Sequence, residues 1–173
     1  LDVKEIEAAV RDLCIEANLS LSGDMERALH AAREAETSAL GRGVLEKLSD
    51  NLEIARSGQI PICQDTGMAV VFLRIGQDVH LTGGSLTDAV NAGVRRGYGE
   101  GYLRKSVVGD PLLRENTGDN TPAILHTRLV PGDRLTLTVA PKGFGSENMS
   151  RLKMLTPAQG VRGVKDFVLE TVR

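Results

Sequence analysis

Apolar residues at Ile6, Val10, Leu13, Cys14 and Ala17 recur at i, i+3/i+4 and i+7, the spacing of a helix with one buried stripe, and predict a first helix over Val3 to Ala17. Ser22, Gly23 and Asp24 supply a break and a cap before a second helical stretch, Met25 to Glu36. Gly41 to Gly43 breaks the pattern again, after which Val44, Leu45, Leu48, Leu52 and Ile54 resume helical spacing. Arg56 and Gly58 suit the end of that third helix, where a cation meets the dipole and glycine accepts the left-handed conformation. At Pro61 the texture changes. The β-branched run Met68 to Ile75, closed by Gly76, and the shorter run Val79 to Thr82, closed by Gly83-Gly84, predict two strands. Ser85-Leu86-Thr87-Asp88 is a capping box for a helix running towards Leu103, although Gly93, Gly97, Gly99 and Gly101 each weaken it by about 1 kcal/mol relative to Ala. The loop from Val107 to Pro122 exceeds the usual connection of about 4 to 6 residues, a length that goes with function. Ala123 to Val130 and Arg134 to Ala140 flank Pro131-Gly132-Asp133 and predict a hairpin with antiparallel pairing. Thr156-Pro157-Ala158-Gln159 opens a last helix through Val161, Val164, Phe167, Val168 and Val172. The fold class is therefore α+β: a helical N-terminal third, then a mixed or antiparallel sheet with flanking helices, in a single domain.

Composition narrows the function classes. The 173 residues are 41% hydrophobic and 25% charged, which suffices for one sizeable core, and with aromatics at 3% and no Trp that core is built from Leu, Val, Ile and Ala. Lys plus Arg number 21 against 23 Asp plus Glu, so the net charge of −2 gives no electrostatic case for nucleic acid or an anionic membrane surface. No apolar run reaches the roughly 18 to 20 residues of a membrane span, and the amino end is amphipathic rather than signal-like, so a soluble, cytoplasmic protein is expected. Cys14 and Cys63 are too few and too far apart for a disulfide scaffold or zinc ribbon.

Three segments could carry chemistry. Cys63-Gln64-Asp65-Thr66-Gly67 places a thiol, an amide, a carboxylate and a hydroxyl between a helix end and a strand, able to ligate a metal, orient a substrate and transfer a proton; a polar turn with a half-buried cysteine is the plainer reading. Lys142-Gly143-Phe144-Gly145-Ser146-Glu147-Asn148 lacks the P-loop spacing but exposes backbone N–H groups that could cradle a carboxylate or phosphate, or simply turn the chain. Arg104-Lys105 stands at a predicted helix end, where a cation ordinarily faces the dipole. His30, His80 and His126 have no ligand-like spacing and read as structural; a nucleophilic pair of Cys63 with His80 or His126 is conceivable without a specific signature. Asp110, Glu115 and Asp119 could chelate a hard cation but lack EF-hand spacing and read as a solvated loop, and Cys14 reads as core.

Taken together, PICQDTG (61–67), GYLRKS (101–106), ENTGDNTP (115–122) and KGFGSENMSRLKML (142–155) resemble the alpha subunit, or N-terminal domain, of class I fumarate hydratases, and are similar also to the related L-tartrate dehydratase alpha subunit. The resemblance runs over essentially the whole chain in the same order and implies a reversible hydration of a C4 dicarboxylate on a 4Fe-4S cluster held by three cysteines. Cys63 matches the first of these; the other two lie in the family beyond the motif ending near Leu155, and nothing in residues 1–173 matches them, so the domain is expected to be cut short at its C-terminus with an incomplete ligand set. By the same resemblance Gln64 and Asp65 contact substrate, Asp65 with a proton-transfer or hydroxyl-orienting role, Arg104 clamps a substrate carboxylate, and Gly145 offers a backbone N–H, with Phe144 standing where many members have glycine. The remaining cations and a second acid/base group would come from a beta subunit or C-terminal domain, within a homo- or hetero-oligomer. The run Gly145 to Ser150 favours fumarate over tartrate; a non-catalytic assembly module of the same fold is the alternative from another class.

Overall fold

A computed structural model describes the backbone of residues 1–173 and every side chain except those of Ser146 and Glu147. The elements run α1 (Val3–Leu19), α2 (Gly23–Ala35), α3 (Ala39–Gly58), β1 (Met68–Gly76), α4 (Leu86–Glu100), β2 (Ile124–Val130), β3 (Leu135–Lys142) and α5 (Gly160–Val172), with short 3-10 turns at Ser146–Met149 and Pro157–Gln159. The class is α+β, with the helices of the N-terminal third preceding a mixed three-stranded sheet. Two compact units emerge, Leu1–Gly143 and Phe144–Arg173. No described helix is long and apolar enough to cross a membrane.

The core of the larger unit lies between one sheet face and two helices. Ala69, Val71 and Leu73 point from β1 to Ile6, Val10 and Cys14 of α1 and to Val90, Val94 and Tyr98 of α4. Each fully buried Val or Leu contributes roughly 1.5–3 kcal/mol, which is how α1 and α4, distant in sequence, come to depend on each other. The glycines of α4 have a steric reason: a Cβ at Gly93 would stand 2.6 Å from the Glu7 carbonyl oxygen, and one at Gly97 would stand 2.8 Å from the Cys14 Cβ. Close approach of α1 offsets the propensity that these glycines cost. Ser85 caps the helix as expected, its hydroxyl accepting from the Asp88 N–H at 3.3 Å.

Several expectations need correction. β2 and β3 do not pair with each other: the strand order is β2-β1-β3, with β1 parallel to β2 and antiparallel to β3. Pro131 to Arg134 therefore form not a hairpin turn but a strap across the end of β1, where Gly76 N–H donates to Arg134 O, Gln77 N–H to Val130 O and Asp78 N–H to Gly132 O. Two inter-strand spacings of about 4.8 Å are within reach of this short connection. A Cβ at Gly76 would meet Gly132 O at 2.2 Å, so glycine there is what lets the strap pass. Val79 to Thr82 joins no sheet; only Thr82 makes an isolated bridge, to Asp2. Gly41 and Gly43 lie within α3 rather than before it, because Ser38 caps the helix from its hydroxyl to Gly41 N–H at 3.3 Å, and a cap worth about 1 kcal/mol opposes their cost. The left-handed residue closing α3 is Gln59, not Gly58.

In the smaller unit, Gln159 reaches back to the Thr156 N–H at 2.8 Å, and Lys153 spans from the Phe167 ring to Glu170, 3.0 Å away.

The two classes of glycine in α4 separate in a denaturation experiment. Gly93→Val should lower unfolding free energy by about 1–3 kcal/mol through overpacking against α1, whereas Gly99→Ala, where an added Cβ meets nothing within 4 Å, should raise it by about 0.5–1 kcal/mol. Equal effects of the two substitutions in urea melts would contradict the close-packing account.

Candidate functional site

The segment Cys63–Gly67 is held at both ends. Upstream, Ile62 donates its N–H to Asn18 O at 2.8 Å and accepts at its carbonyl from the Asn51 side chain at 2.9 Å, which fastens it to α1 and α3. Downstream, Gly67 leads directly into β1 at φ +63°, and a Cβ there would lie 2.1 Å from the Lys142 carbonyl oxygen, so only glycine fits against the end of β3. Between these anchors Cys63 and Gln64 are exposed and Asp65 is half-buried. The Cys63 thiol donates to Gln64 Oε1 at 3.4 Å and its sulfur accepts from the Asp65 N–H at 3.5 Å; Asp65 Oδ1 accepts from the Gly67 N–H at 3.2 Å. Gly143 packs on the same carboxylate, since a Cβ there would meet Asp65 Oδ2 at 2.9 Å.

Beneath this exposed run lies a buried polar layer that sequence reasoning missed. Thr66, only 2% exposed, donates its hydroxyl to the Arg104 carbonyl at 2.8 Å, and the Tyr98 hydroxyl donates to Thr66 O at 2.7 Å. Burial pushes the Tyr98 hydroxyl pKa up, which keeps it a proton donor. Asn120, 0% exposed, spans from Gly67 to Ser106 and Val107. From the same loop Asn116 donates to Lys105 O at 3.0 Å. The Cys63–Gly67, Arg104–Val107 and Asn116–Asn120 segments, with the Lys142–Gly143 strand end, thus meet at one place, and the Arg104 side chain is exposed there. Ser106 Oγ is buried with no partner among the described residues.

Other candidates separate from this place. The carboxylates of the long loop do not converge: Asp110 accepts from Leu112 and Leu113 N–H, each at 2.8 Å, while Asp119 is engaged by Thr121 and Arg95. The Thr121 hydroxyl, with Arg95 2.8 Å away, holds the Asp119 pKa down at about 2. Asp119 therefore contributes stability above the ordinary carboxylate range near 4 and loses it as pH falls towards 2. Among the described residues no three His, Cys, Asp or Glu gather as a metal group, and Cys63 contacts Gln64 and Asp65 rather than a histidine. His126 stacks on Phe72 with ring centroids 5.0 Å apart. Cys14 is core, as expected, its thiol pKa pushed up to about 12 by burial. Gly145 belongs to the smaller unit, exposed, its carbonyl accepting from Asn148 N–H at 3.4 Å; the side chains of Ser146 and Glu147 in that motif lie outside the described residues.

The family described as fumarate hydratase (Fumerase) matches residues 7–173. The chain is 39% identical, over 97% of its length, to a Methanocaldococcus jannaschii protein named for the L(+)-tartrate dehydratase alpha subunit, 61% of which is covered. It is 38% identical over 71% of its length to the anaerobic class I fumarate hydratase of Escherichia coli, covering 23% of that protein. With the L(+)-tartrate dehydratase alpha subunit of E. coli it shares 26% identity over 98% of its length, covering 57%. The chain thus spans about three-fifths of the alpha subunits it matches and a smaller share of the fumarate hydratase.

Thiol chemistry checks the exposure of the site. Brief iodoacetamide treatment of the native protein near pH 8, read by peptide mass spectrometry, should modify Cys63 and spare Cys14, whose pKa of about 12 leaves little thiolate. Alkylation of Cys14 at a comparable rate would contradict its burial.

Proposed function

The chain belongs to the fumarate hydratase family, and we propose that it is the alpha-type part of a cytoplasmic iron-sulfur hydro-lyase that adds water reversibly to a C4 dicarboxylate, hydrating fumarate to L-malate. The observation that carries this reading is the run of exposed Cys63 and Gln64 and half-buried Asp65 fixed, through the Thr66 hydroxyl, to the carbonyl of Arg104. A thiol, an acid/base group and a guanidinium are what this reaction asks of a protein: a metal anchor, a proton carrier and a clamp for carboxylate charge. L-tartrate dehydration is the second reading. It is favoured by the alignment with an alpha subunit named for that activity, which runs over 97% of the chain. Both readings use the same residues in the same roles.

Cys63 fits as one thiolate ligand of a 4Fe-4S cluster: its sulfur is exposed beside groups that can orient substrate. The described residues do not complete the set, because the second cysteine, Cys14, is sealed in the core and no further metal group converges. A cluster bound there would supply Lewis acidity towards the substrate hydroxyl. The residues of this chain do part of the remaining work. Arg104 grips a substrate carboxylate through its planar fork, which suits a carboxylate better than the point charge of lysine. Asp65 carries a proton or orients the substrate hydroxyl at its Oδ atoms, and Gln64 presents an amide that can donate to a substrate oxygen. Gly145 offers a backbone N–H for the substrate. The other cations and the second acid/base group come from a beta subunit or C-terminal domain, and the active form is a homo- or hetero-oligomer.

Two substitutions in the complete enzyme test this. Cys63→Ser should abolish cluster-dependent turnover, and activity near that of the wild type removes its ligand role. Arg104→Lys should lower kcat/KM for the dicarboxylate by about ten- to a hundredfold as the fork geometry is lost; unchanged kinetics would take Arg104 out of the site.

A further inference from the structure

We infer that Asn120 is the positioning residue that locks Cys63–Gly67 and Arg104–Val107 at one separation, so that Gln64 and Asp65 are held at a fixed span from the carboxylate clamp Arg104. The inference rests on the hydro-lyase reading and deepens it. Its basis is the use of the Asn120 amide. Nδ2 donates to Gly67 O at 3.1 Å, and Oδ1 accepts from Ser106 N–H at 2.7 Å and Val107 N–H at 3.2 Å. One side chain therefore satisfies three backbone groups, those of Gly67 and Val107 buried and that of Ser106 part-buried, on two segments far apart in sequence that do not pair as strands. A direct tie between the segments, from Thr66 Oγ1 to Arg104 O, lies one residue away along the first and two along the second. Two adjacent ties fix both distance and twist, where one alone leaves a pivot.

The chemistry of the position is narrow. Aspartate keeps the acceptor but loses the donor, and sets a carboxylate against the Gly67 carbonyl. Alanine leaves two N–H groups and a carbonyl without this partner, which is costly where water is excluded. The backbone itself is left-handed, φ +62°, a conformation that asparagine adopts more readily than most residues. At 0% exposure Asn120 cannot touch substrate; it acts only through the segments it joins.

The test uses the full-length polypeptide with its partner chain, comparing wild type, Asn120→Asp and Val10→Ala. Val10 lies in the α1 core, 0% exposed, and serves as a destabilising control. Two readouts are needed. Amide hydrogen exchange should accelerate by about tenfold or more in 63–67 and 104–107 together in Asn120→Asp, and in neither segment in Val10→Ala. KM for fumarate, or for L-tartrate if that is the substrate turned over, should rise about tenfold in Asn120→Asp and stay unchanged in Val10→Ala. If Asn120→Asp does not fold, Asn120→Gly takes its place, since glycine keeps the positive φ and leaves room for water. A variant that loses only folded protein, with exchange and KM like the control, overturns the inference while leaving the hydro-lyase reading intact. Faster exchange with unchanged KM also overturns it, because the tie would then serve stability alone. A wild-type assembly that turns over neither diacid sinks the hydro-lyase reading, and the positioning role with it, even when the exchange pattern is as expected.

Discussion

Every group assigned chemistry in the larger unit sits on irregular backbone, and that backbone is held by a small layer of buried hydrogen bonds at the start of β1. Loops cannot be fixed by apolar packing alone, because their N–H and C=O groups must find partners once water is excluded. Here Tyr98 reaches from α4 to Thr66 O, and Thr66 reaches on to Arg104 O. The layer is anchored from below by the same Tyr98, whose ring belongs to the apolar core. Packing of α1 on α4 and hydrogen bonding of the site loops are thus joined through one side chain, polar at its tip and apolar along its body.

The exposed residues can afford to be poorly packed because the residues next to them in sequence are not. Cys63 and Gln64 face solvent, whereas Thr66 and Gly67, past half-buried Asp65, are buried. Likewise Arg104 projects outwards between buried Leu103 and Val107. Alternation of this kind lets a loop present reactive groups on a backbone with little freedom, as a preorganised site requires.

The helices α1 and α4 were readable from apolar period and from the Ser85 cap, and β1 from its β-branched run. Strand pairing was not. The segment Pro131-Gly132-Asp133 has the composition of a turn, but composition constrains local dihedral angles and says nothing about whether a third strand enters between the two that the turn connects. The Val79–Thr82 run failed for a related reason: β-propensity describes a segment that fits a sheet, and no sheet edge is offered to it. The motif loop at Cys63, Gln64 and Asp65 stood out as a polar run between regular elements, whereas Arg104 on its own read as a cation at a helix end and joined them only through the family resemblance. Asn120 did not stand out, since a buried asparagine amid Asn, Thr, Gly and Asp looks like its solvated neighbours until the backbone groups around it are known. Gly93 and Gly97 appeared only as weak points in a helix, because the partner that needs their missing side chains is some 80 residues away on α1.

The central place of β1 also shapes how the molecule is made. An apolar strand leaves the ribosome with neither neighbour available: its parallel partner starts at Ile124 and its antiparallel partner ends at Lys142. At about 5–20 residues per second, synthesis leaves both edges of β1 without strand partners for several seconds. During that interval α1 and α4 can shelter one face but not the hydrogen-bonding edges, so the nascent chain passes through a period in which a molecular chaperone, or simply slow crowding by other chains, decides whether the strand finds its own partners first.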